Sequence, residues 1–123
     1  MKKILIIEDE RVLAKALRDM LERSGFEADV ASDGEEGVTK VASGRPDLVL
    51  LDIILPRLHG FEVLKRIKEN PDTKATPVII LSNLDQDTDI DKARQLGAAD
   101  FLTKAETDIN NVLAKVKEHL GGA

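Results

Sequence analysis

Short apolar runs alternate with segments of helical periodicity along the whole chain. Each run is too short to form a helix. Most runs are continuously apolar rather than alternating, which is typical of parallel strands that are covered on both faces. Five strands are predicted: Ile4–Ile7, a weaker one at Glu27–Ala31, Leu48–Leu51, Val78–Leu81 and Asp100–Thr103.

Between and after these runs, apolar residues recur every three or four positions, which predicts five amphipathic helices. Ser32 and Glu35 have the spacing of a capping box, so we expect Ser32 to cap the second helix. Glycines after the first, fourth and fifth helical segments indicate helix ends. The predicted helices are Arg11–Arg23, a second one opened by Ser32 and running through Ala42, then about Phe61–Glu69, Asp87–Leu96 and Thr107–Leu120.

Five strand–helix repeats predict an α/β fold. Because right-handed crossovers connect parallel neighbours, we expect a three-layer α/β/α sandwich around a five-stranded parallel sheet. The length of 123 residues suits a single domain over 1–123, with no effector domain on this chain. In open sheets of this class, ligands bind outside the carboxyl ends of the strands.

Composition excludes several classes of function. The net charge is −5 and no Lys/Arg run occurs, so a nucleic-acid interface is not expected. The absence of cysteine excludes disulfides and thiolate metal sites and suits a cytoplasmic protein. No apolar run approaches the roughly 20 residues of a membrane span.

Polar groups suited to phosphate chemistry follow four of the predicted strands. They are the acids Glu8, Asp9 and Glu10, then Asp52, Ser82 and Lys104. Bunched carboxylates favour a hard cation such as Mg²⁺, which typically takes one or two carboxylates and keeps waters. We expect Asp9 to ligate directly, Glu8 to act through water and Glu10 to begin the first helix.

Each of these signals alone has an ordinary structural explanation. Asp52 could be a phosphoryl-accepting nucleophile, but a helix cap or ion pair is about as plausible at a strand end. An acidic turn, a surface lysine and a capping serine are common features. The conjunction at four strand ends favours a functional site. His59 and His119 are isolated and are predicted to be surface residues.

With these residues identified, the chain resembles the receiver domains of two-component response regulators, from Lys2 to about Leu120. The acidic pair after the first strand is Glu8-Asp9. A phosphoacceptor segment of the form L-D-x-x-x-P-x-x-x-G runs from Leu51 to Gly60, and Ser82 follows the fourth strand. A stretch of the form G-A-x-D-[YF]-L-x-K runs from Gly97 to Lys104.

The resemblance implies a flavodoxin-like sheet of order 2-1-3-4-5 and a signalling switch rather than an enzyme with a separate substrate. Asp52 would accept a phosphoryl group from a histidine kinase or histidine phosphotransferase, and the protein would catalyse only its own phosphorylation and dephosphorylation. Mg²⁺ or Mn²⁺ would be held by Asp9, Asp52 and the Ile54 carbonyl, with Glu8 nearby. Lys104 would offset charge in the transition state.

Ser82 and Phe101 would then rearrange, changing the surface of the fourth helix, fifth strand and fifth helix. A partner protein of unknown identity would bind there, and the chain would be a monomer or a phosphorylation-dependent dimer.

Five positions depart from the commonest pattern of such domains. Glu8 replaces an aspartate, and His59 stands where aspartate is frequent. Asn83 follows Ser82 where a smaller residue is common, Phe101 stands in place of tyrosine, and Ala105 replaces the proline after Lys104. In such domains the side chains two positions after the phosphoacceptor and two after the serine flank the water that hydrolyses the acyl phosphate. Here they are Ile54 and Leu84. Neither can orient that water by hydrogen bonding, which predicts slow autodephosphorylation.

Other functions are less favoured by the residues. An aspartate-nucleophile phosphatase would have a second aspartate where Ile54 stands. A flavodoxin-like nucleotide or flavin binder would need a glycine-rich phosphate loop or aromatic rings, and the chain has only three Phe and no Trp or Tyr. A phosphorylation-independent interaction module and a receiver excised from a longer protein also remain open.

Overall fold

The computed structural model describes residues 1–83 and 87–121. Strands and helices alternate along the chain, with a short 3₁₀ turn at Lys104–Glu106 before the last helix. The strands are β1 (Lys3–Ile7), β2 (Glu27–Ala31), β3 (Leu48–Leu51), β4 (Val78–Ser82) and β5 (Asp100–Thr103). The helices are α1 (Arg11–Arg23), α2 (Gly34–Gly44), α3 (Gly60–Glu69), α4 (Asp87–Gln95) and α5 (Ile109–Leu120).

All five strands are parallel and lie in the order β2-β1-β3-β4-β5, which confirms the expected sheet. Because successive side chains point to opposite faces, β1 places Ile4 and Ile6 in one core cluster and Leu5 and Ile7 in the other. Residues of α1 and α5 complete the first cluster, and residues of α2, α3 and α4 complete the second.

The central strands have almost no contact with solvent. Every residue of β3 is at most 1% exposed. Burying one leucine or isoleucine side chain contributes about 1.5–3 kcal/mol, so this sheet is the main source of stability. It also gives the chain a rigid edge on which polar side chains can be placed.

The cap of α2 differs from the sequence prediction by one residue. Asp33, not Ser32, is the cap, and its carboxylate accepts a hydrogen bond from the Glu36 amide at 2.8 Å. The Glu36 carboxylate in turn accepts from the Ser32 amide at 2.6 Å. A charged carboxylate is favoured over a hydroxyl at the positive end of a helix, which explains the shift.

The start of α5 is also later than predicted. The chain makes the 3₁₀ turn after β5, Thr107 is extended, and α5 begins at Ile109. Asp108 caps it by accepting a hydrogen bond from the Asn111 amide at 2.9 Å. The apolar stripe of α5 was correctly predicted, but periodicity alone does not show where a cap stops the helix.

Of the two histidines, which were both predicted at the surface, only His59 is exposed. Its Nδ1 accepts a hydrogen bond from the Phe61 amide at 3.1 Å and so caps α3. His119, predicted at the surface, is half-buried and lies 3.2 Å from the Asp100 carboxylate. Among the helices of the described residues, none is long and apolar enough to cross a membrane.

Candidate functional site

The register of the sheet brings the predicted polar residues to one edge. Ile7 pairs with Leu51, so Glu8 and Asp52 emerge side by side, and the Asp52 amide donates to the Ile7 carbonyl at 3.0 Å. Ser82 pairs with Thr103 at the ends of β4 and β5, which places Lys104 just beyond.

Lys104 is the centre of this group. Its Nζ lies 2.6 Å from Glu8 Oε1, 2.6 Å from Glu10 Oε2 and 2.9 Å from Asp52 Oδ2. A lysine ammonium has three N–H donors and no acceptor. Hydrogen bonds to Glu10 and Asp52 use two of these donors, and the Glu8 carboxylate forms an ion pair with the same nitrogen.

Burial makes these contacts electrostatically strong. The side chains of Glu8, Asp52 and Lys104 are 3%, 6% and 11% exposed, whereas that of Glu10 is 62% exposed. With all four groups ionised, three negative charges meet one positive charge. The site therefore keeps an excess of negative charge that further positive charge would stabilise.

Burial and hydrogen bonding shift the pKa values of both Glu8 and Lys104, and a different effect dominates in each. Desolvation raises the pKa of Glu8 to about 7, against the opposing effects of the hydrogen bonds from Lys104 and the Glu10 amide. Burial acts to lower the pKa of Lys104, but its hydrogen bonds to Glu10, Glu8 and Asp52 outweigh burial and leave that pKa above its usual value. Lys104 is thus a permanent cation at this edge.

The loop after β3 fixes the position of Asp52. The Ile54 amide donates to Asp52 Oδ1 at 3.2 Å, and the Gly60 amide donates to the Ile53 carbonyl at 2.8 Å. A Cβ at position 60 would lie 2.6 Å from the Asp52 carbonyl oxygen, a distance that real Cβ atoms essentially never show. Only glycine allows α3 to begin so close to the backbone of Asp52.

The donor chemistry of the site fits a hard divalent cation. Carboxylate oxygens of Glu8, Glu10 and Asp52 lie within 4.8 Å of one another, and oxygen ligands are those that Mg²⁺ prefers. Asp9, which we expected to ligate directly, is exposed and lies outside this group. The side chain of Ile54 is 57% exposed. The acidic cluster supports cation binding in general and leaves the individual ligands as predictions.

Sequence reasoning missed the contact of Glu10 with Lys104. Glu10 does begin α1 as expected, but its side chain makes no capping hydrogen bond and instead contacts Lys104. The two residues are 94 positions apart. Only the turn after β1 decides which of three consecutive acids faces β5, so no local signal could have shown it.

Ser82 is fully buried, and its Oγ has no hydrogen-bond partner within residues 1–83 and 87–121. An unsatisfied buried hydroxyl costs about 1–3 kcal/mol, so it favours any group that can bond to it. Phe101 is half-buried and packs on the cluster formed with α2, α3 and α4. Asn83 is exposed, and Leu84 lies outside the described residues.

The chain matches a family model described as "Response regulator receiver domain" over residues 4–117. It is 36% identical over 122 residues to protein PilH of Pseudomonas aeruginosa, covering 99% of this chain and 100% of that protein. It is 40% identical over 103 residues to the alkaline phosphatase synthesis transcriptional regulatory protein PhoP of Bacillus subtilis, covering 84% of this chain and 42% of that protein. The chain thus spans about half the length, or less, of several curated relatives.

The fold comparison agrees. A two-component response regulator from Clostridium difficile has a TM-score of 0.91 and 31% identity, with 98% of this chain and 97% of that chain covered. The strand order, the acidic edge and the near-complete family match lead to one assignment: the chain belongs to the family of response regulator receiver domains.

Proposed function

We propose that the protein is a phosphorylation-dependent signalling switch in which Asp52 is the phosphoacceptor. The observation that carries this proposal is the contact between Lys104 Nζ and Asp52 Oδ2, which places a permanent cation beside a buried carboxylate at an open sheet edge. Family membership supports the same function.

Phosphoryl transfer needs a positioned nucleophile and neutralised charge, and it asks little other chemistry of the protein. An Asp52 carboxylate oxygen attacks the phosphorus of a phosphohistidine. The new P–O bond forms as the P–N bond breaks. The phosphohistidine ring, protonated on its other nitrogen, takes the P–N electron pair and leaves as neutral imidazole. Lys104 stabilises the negative charge on the transferring oxygens.

Mg²⁺ or Mn²⁺ is the cofactor in this proposal. Asp52, Asp9 and the Ile54 carbonyl are the ligands that the family pattern implies, and Glu8 and Glu10 add negative charge around them. When bound, the ion supplies further positive charge for the transferring group. The excess of carboxylates around Lys104 supports this need for a cation.

The response to phosphorylation in this proposal begins at the buried Ser82 hydroxyl, which has no hydrogen-bond partner in the part of the chain that the structure describes. A phosphoryl oxygen on Asp52 offers this hydroxyl an acceptor, and Phe101 on the neighbouring strand then repacks. The ligand shifts a population between two states through contacts made in only one of them. The surface formed by α4, β5 and α5 changes, and a downstream protein binds it.

The phosphodonor in this proposal is a sensor histidine kinase or a histidine phosphotransferase in the cytoplasm. In this proposal one receiver domain covers 1–123, and the protein acts as a monomer or as a phosphorylation-dependent dimer.

The test is intact-mass spectrometry after incubation with acetyl phosphate and Mg²⁺. Here the attacking Asp52 oxygen displaces acetate from phosphorus. We expect one added phosphoryl group in the wild type, and none in Asp52→Ala or in EDTA. A folded wild type that stays unmodified would contradict the proposal and favour a phosphorylation-independent interaction module.

A further inference from the structure

Three carboxylates already surround the ammonium of Lys104. Its Nζ donates hydrogen bonds to Glu10 and Asp52 and forms an ion pair with Glu8 at 2.6 Å. A phosphoryl oxygen on Asp52 needs a place beside the same nitrogen, so Lys104 can stabilise the phosphoryl group fully only after one carboxylate has moved away.

The three carboxylates are not equally able to leave. Glu8 is 3% exposed, and it also accepts a hydrogen bond from the Glu10 amide at 3.1 Å. Releasing it would leave a buried charge without its partner, which is costly. Asp52 itself carries the phosphoryl group and stays at the site.

Glu10 is the contact that can be given up. Its side chain is 62% exposed, so water replaces Lys104 as its partner at small cost. Its carboxylate does not cap α1, so moving it leaves the helix intact. Its Oε2 nevertheless lies 2.6 Å from Nζ, closer than the 2.9 Å of Asp52.

We propose that Glu10 is a positioning residue that competes with the phosphoryl group for Lys104. In the unphosphorylated protein it holds the ammonium, and it releases one N–H donor when a phosphoryl oxygen arrives. Glu10 thereby lowers both the rate of phosphoryl transfer and the persistence of the phosphorylated state. This inference rests on the proposed function of Asp52.

The experiment compares the wild type with Glu10→Gln and with the control Glu106→Gln. Glu106 is an exposed carboxylate two residues from Lys104, in the 3₁₀ turn, and makes no contact with Nζ among the described residues. Removing Glu106 therefore changes the local charge without freeing a donor. The rate of phosphorylation by acetyl phosphate is measured at saturating Mg²⁺, with saturation established for each variant by Mn²⁺ titration in electron paramagnetic resonance.

We expect Glu10→Gln to be phosphorylated about two- to fivefold faster than the wild type, a range set by the strength of an exposed ion pair. Glu106→Gln removes the same charge without removing a contact of Lys104, so its rate should stay close to that of the wild type. Equal rates for wild type and Glu10→Gln, or an equal gain in Glu106→Gln, would overturn the inference.

A second measurement needs no phosphodonor. Proton exchange at Lys104 Nζ, followed by ¹⁵N NMR, should be faster in Glu10→Gln than in the wild type, because a neutral amide holds the ammonium less strongly than a carboxylate does. Unchanged exchange would show that Glu10 does not hold Lys104. If the wild type is not phosphorylated at all, the proposed function is contradicted together with this inference. If the wild type is phosphorylated and Glu10→Gln changes neither the phosphorylation rate nor the proton exchange, this inference alone is contradicted.

Discussion

The ammonium of Lys104 lies 2.9 Å from a carboxylate oxygen of Asp52, a residue 52 positions earlier in the chain. Both side chains are nearly buried, so water cannot fully replace either partner when the other is left alone. The pair links β3 to the end of β5 across the edge of the sheet, and removing either member should affect stability as well as chemistry.

Replacing Lys104 with methionine should destabilise the fold. The substitution leaves the buried carboxylates of Glu8 and Asp52 without their cation, which typically costs about 3–5 kcal/mol. Urea unfolding at pH 8 without divalent ions measures the loss. Lys115→Met is the control, because Lys115 is 38% exposed and pairs only at the surface, so it should cost less than about 1 kcal/mol. Equal losses for the two variants would contradict the electrostatic role of Lys104.

The raised pKa of Glu8 predicts a pH dependence of stability. Between the usual value of 4.5 and the folded value of about 7, the folded state binds more protons than the unfolded state. The free energy of unfolding should therefore fall as pH rises through this window, by up to about 3 kcal/mol from this group, and the loss should be complete above pH 7.

The variant Glu8→Gln keeps an acceptor for Lys104 but cannot ionise. We measure the free energy of unfolding of both proteins in urea, in EDTA, across this pH range. The free energy of unfolding of Glu8→Gln should exceed that of the wild type by little near pH 4.5 and by most above pH 7. Mg²⁺ should reduce this difference in stability, because a bound cation stabilises the charged carboxylate of the wild type. A difference in the free energy of unfolding that does not vary with pH would be inconsistent with the shifted pKa of Glu8.

Gly60 and Gly44 provide a matched pair of substitutions. Gly60→Ala forces a methyl group against the backbone of Asp52 and Ile53, and we expect a loss of several kcal/mol or a displaced loop. Gly44→Ala meets nothing within 4 Å in a helical segment and should be neutral or stabilising by about 0.5–1 kcal/mol. Thermal or urea unfolding separates the two cases, and similar values would argue against close packing at Gly60.

The cap of α2 can be tested by two neighbouring substitutions. Asp33→Ala should cost about 1 kcal/mol, because it removes the acceptor for the Glu36 amide. Asp33→Asn should retain most of that stability. Ser32→Ala should cost only a few tenths of a kcal/mol, since the Ser32 hydroxyl is 3.5 Å from Glu36 and the hydrogen bond from the backbone amide of residue 32 to Glu36 remains. A larger loss of stability for Ser32→Ala than for Asp33→Ala would support Ser32 as the cap, as the capping-box spacing predicted.

With Asp52 as the proposed phosphoacceptor, we expect the lifetime of the phosphorylated state to depend on the side chain at position 54. Ile54 is exposed beside Asp52 and cannot orient an attacking water. We therefore expect slow loss of the phosphoryl group in the wild type and faster loss in Ile54→Asn, both measured by intact mass over time. A decay rate unchanged by the substitution would contradict this explanation. The matching expectation for Leu84→Glu concerns a residue outside those described.

Much of the fold could be predicted because its signals are local. The continuous apolar runs of β3 and β4 indicate strands buried on both faces, and the stripe on α1 indicates one buried helix face. Burial patterns of this kind repeat every two or 3.6 residues and need no knowledge of distant contacts. Helix ends were less predictable, since Ser32 and Asp33 are both residue types that cap helices, and their positions in the sequence do not show which one caps α2.

The sequence by itself determined the strand–helix order and placed acids, Asp52, Ser82 and Lys104 at strand ends. Tertiary structure alone decided that Glu10 rather than Asp9 contacts Lys104 and that His119 contacts Asp100. It also buried the Ser82 hydroxyl with no hydrogen-bond partner among the described residues. The physical reason is the distance along the chain over which each kind of interaction acts. Strand and helix periodicity arises between neighbouring residues, whereas ion pairing and burial arise between side chains that only the closed sheet brings together.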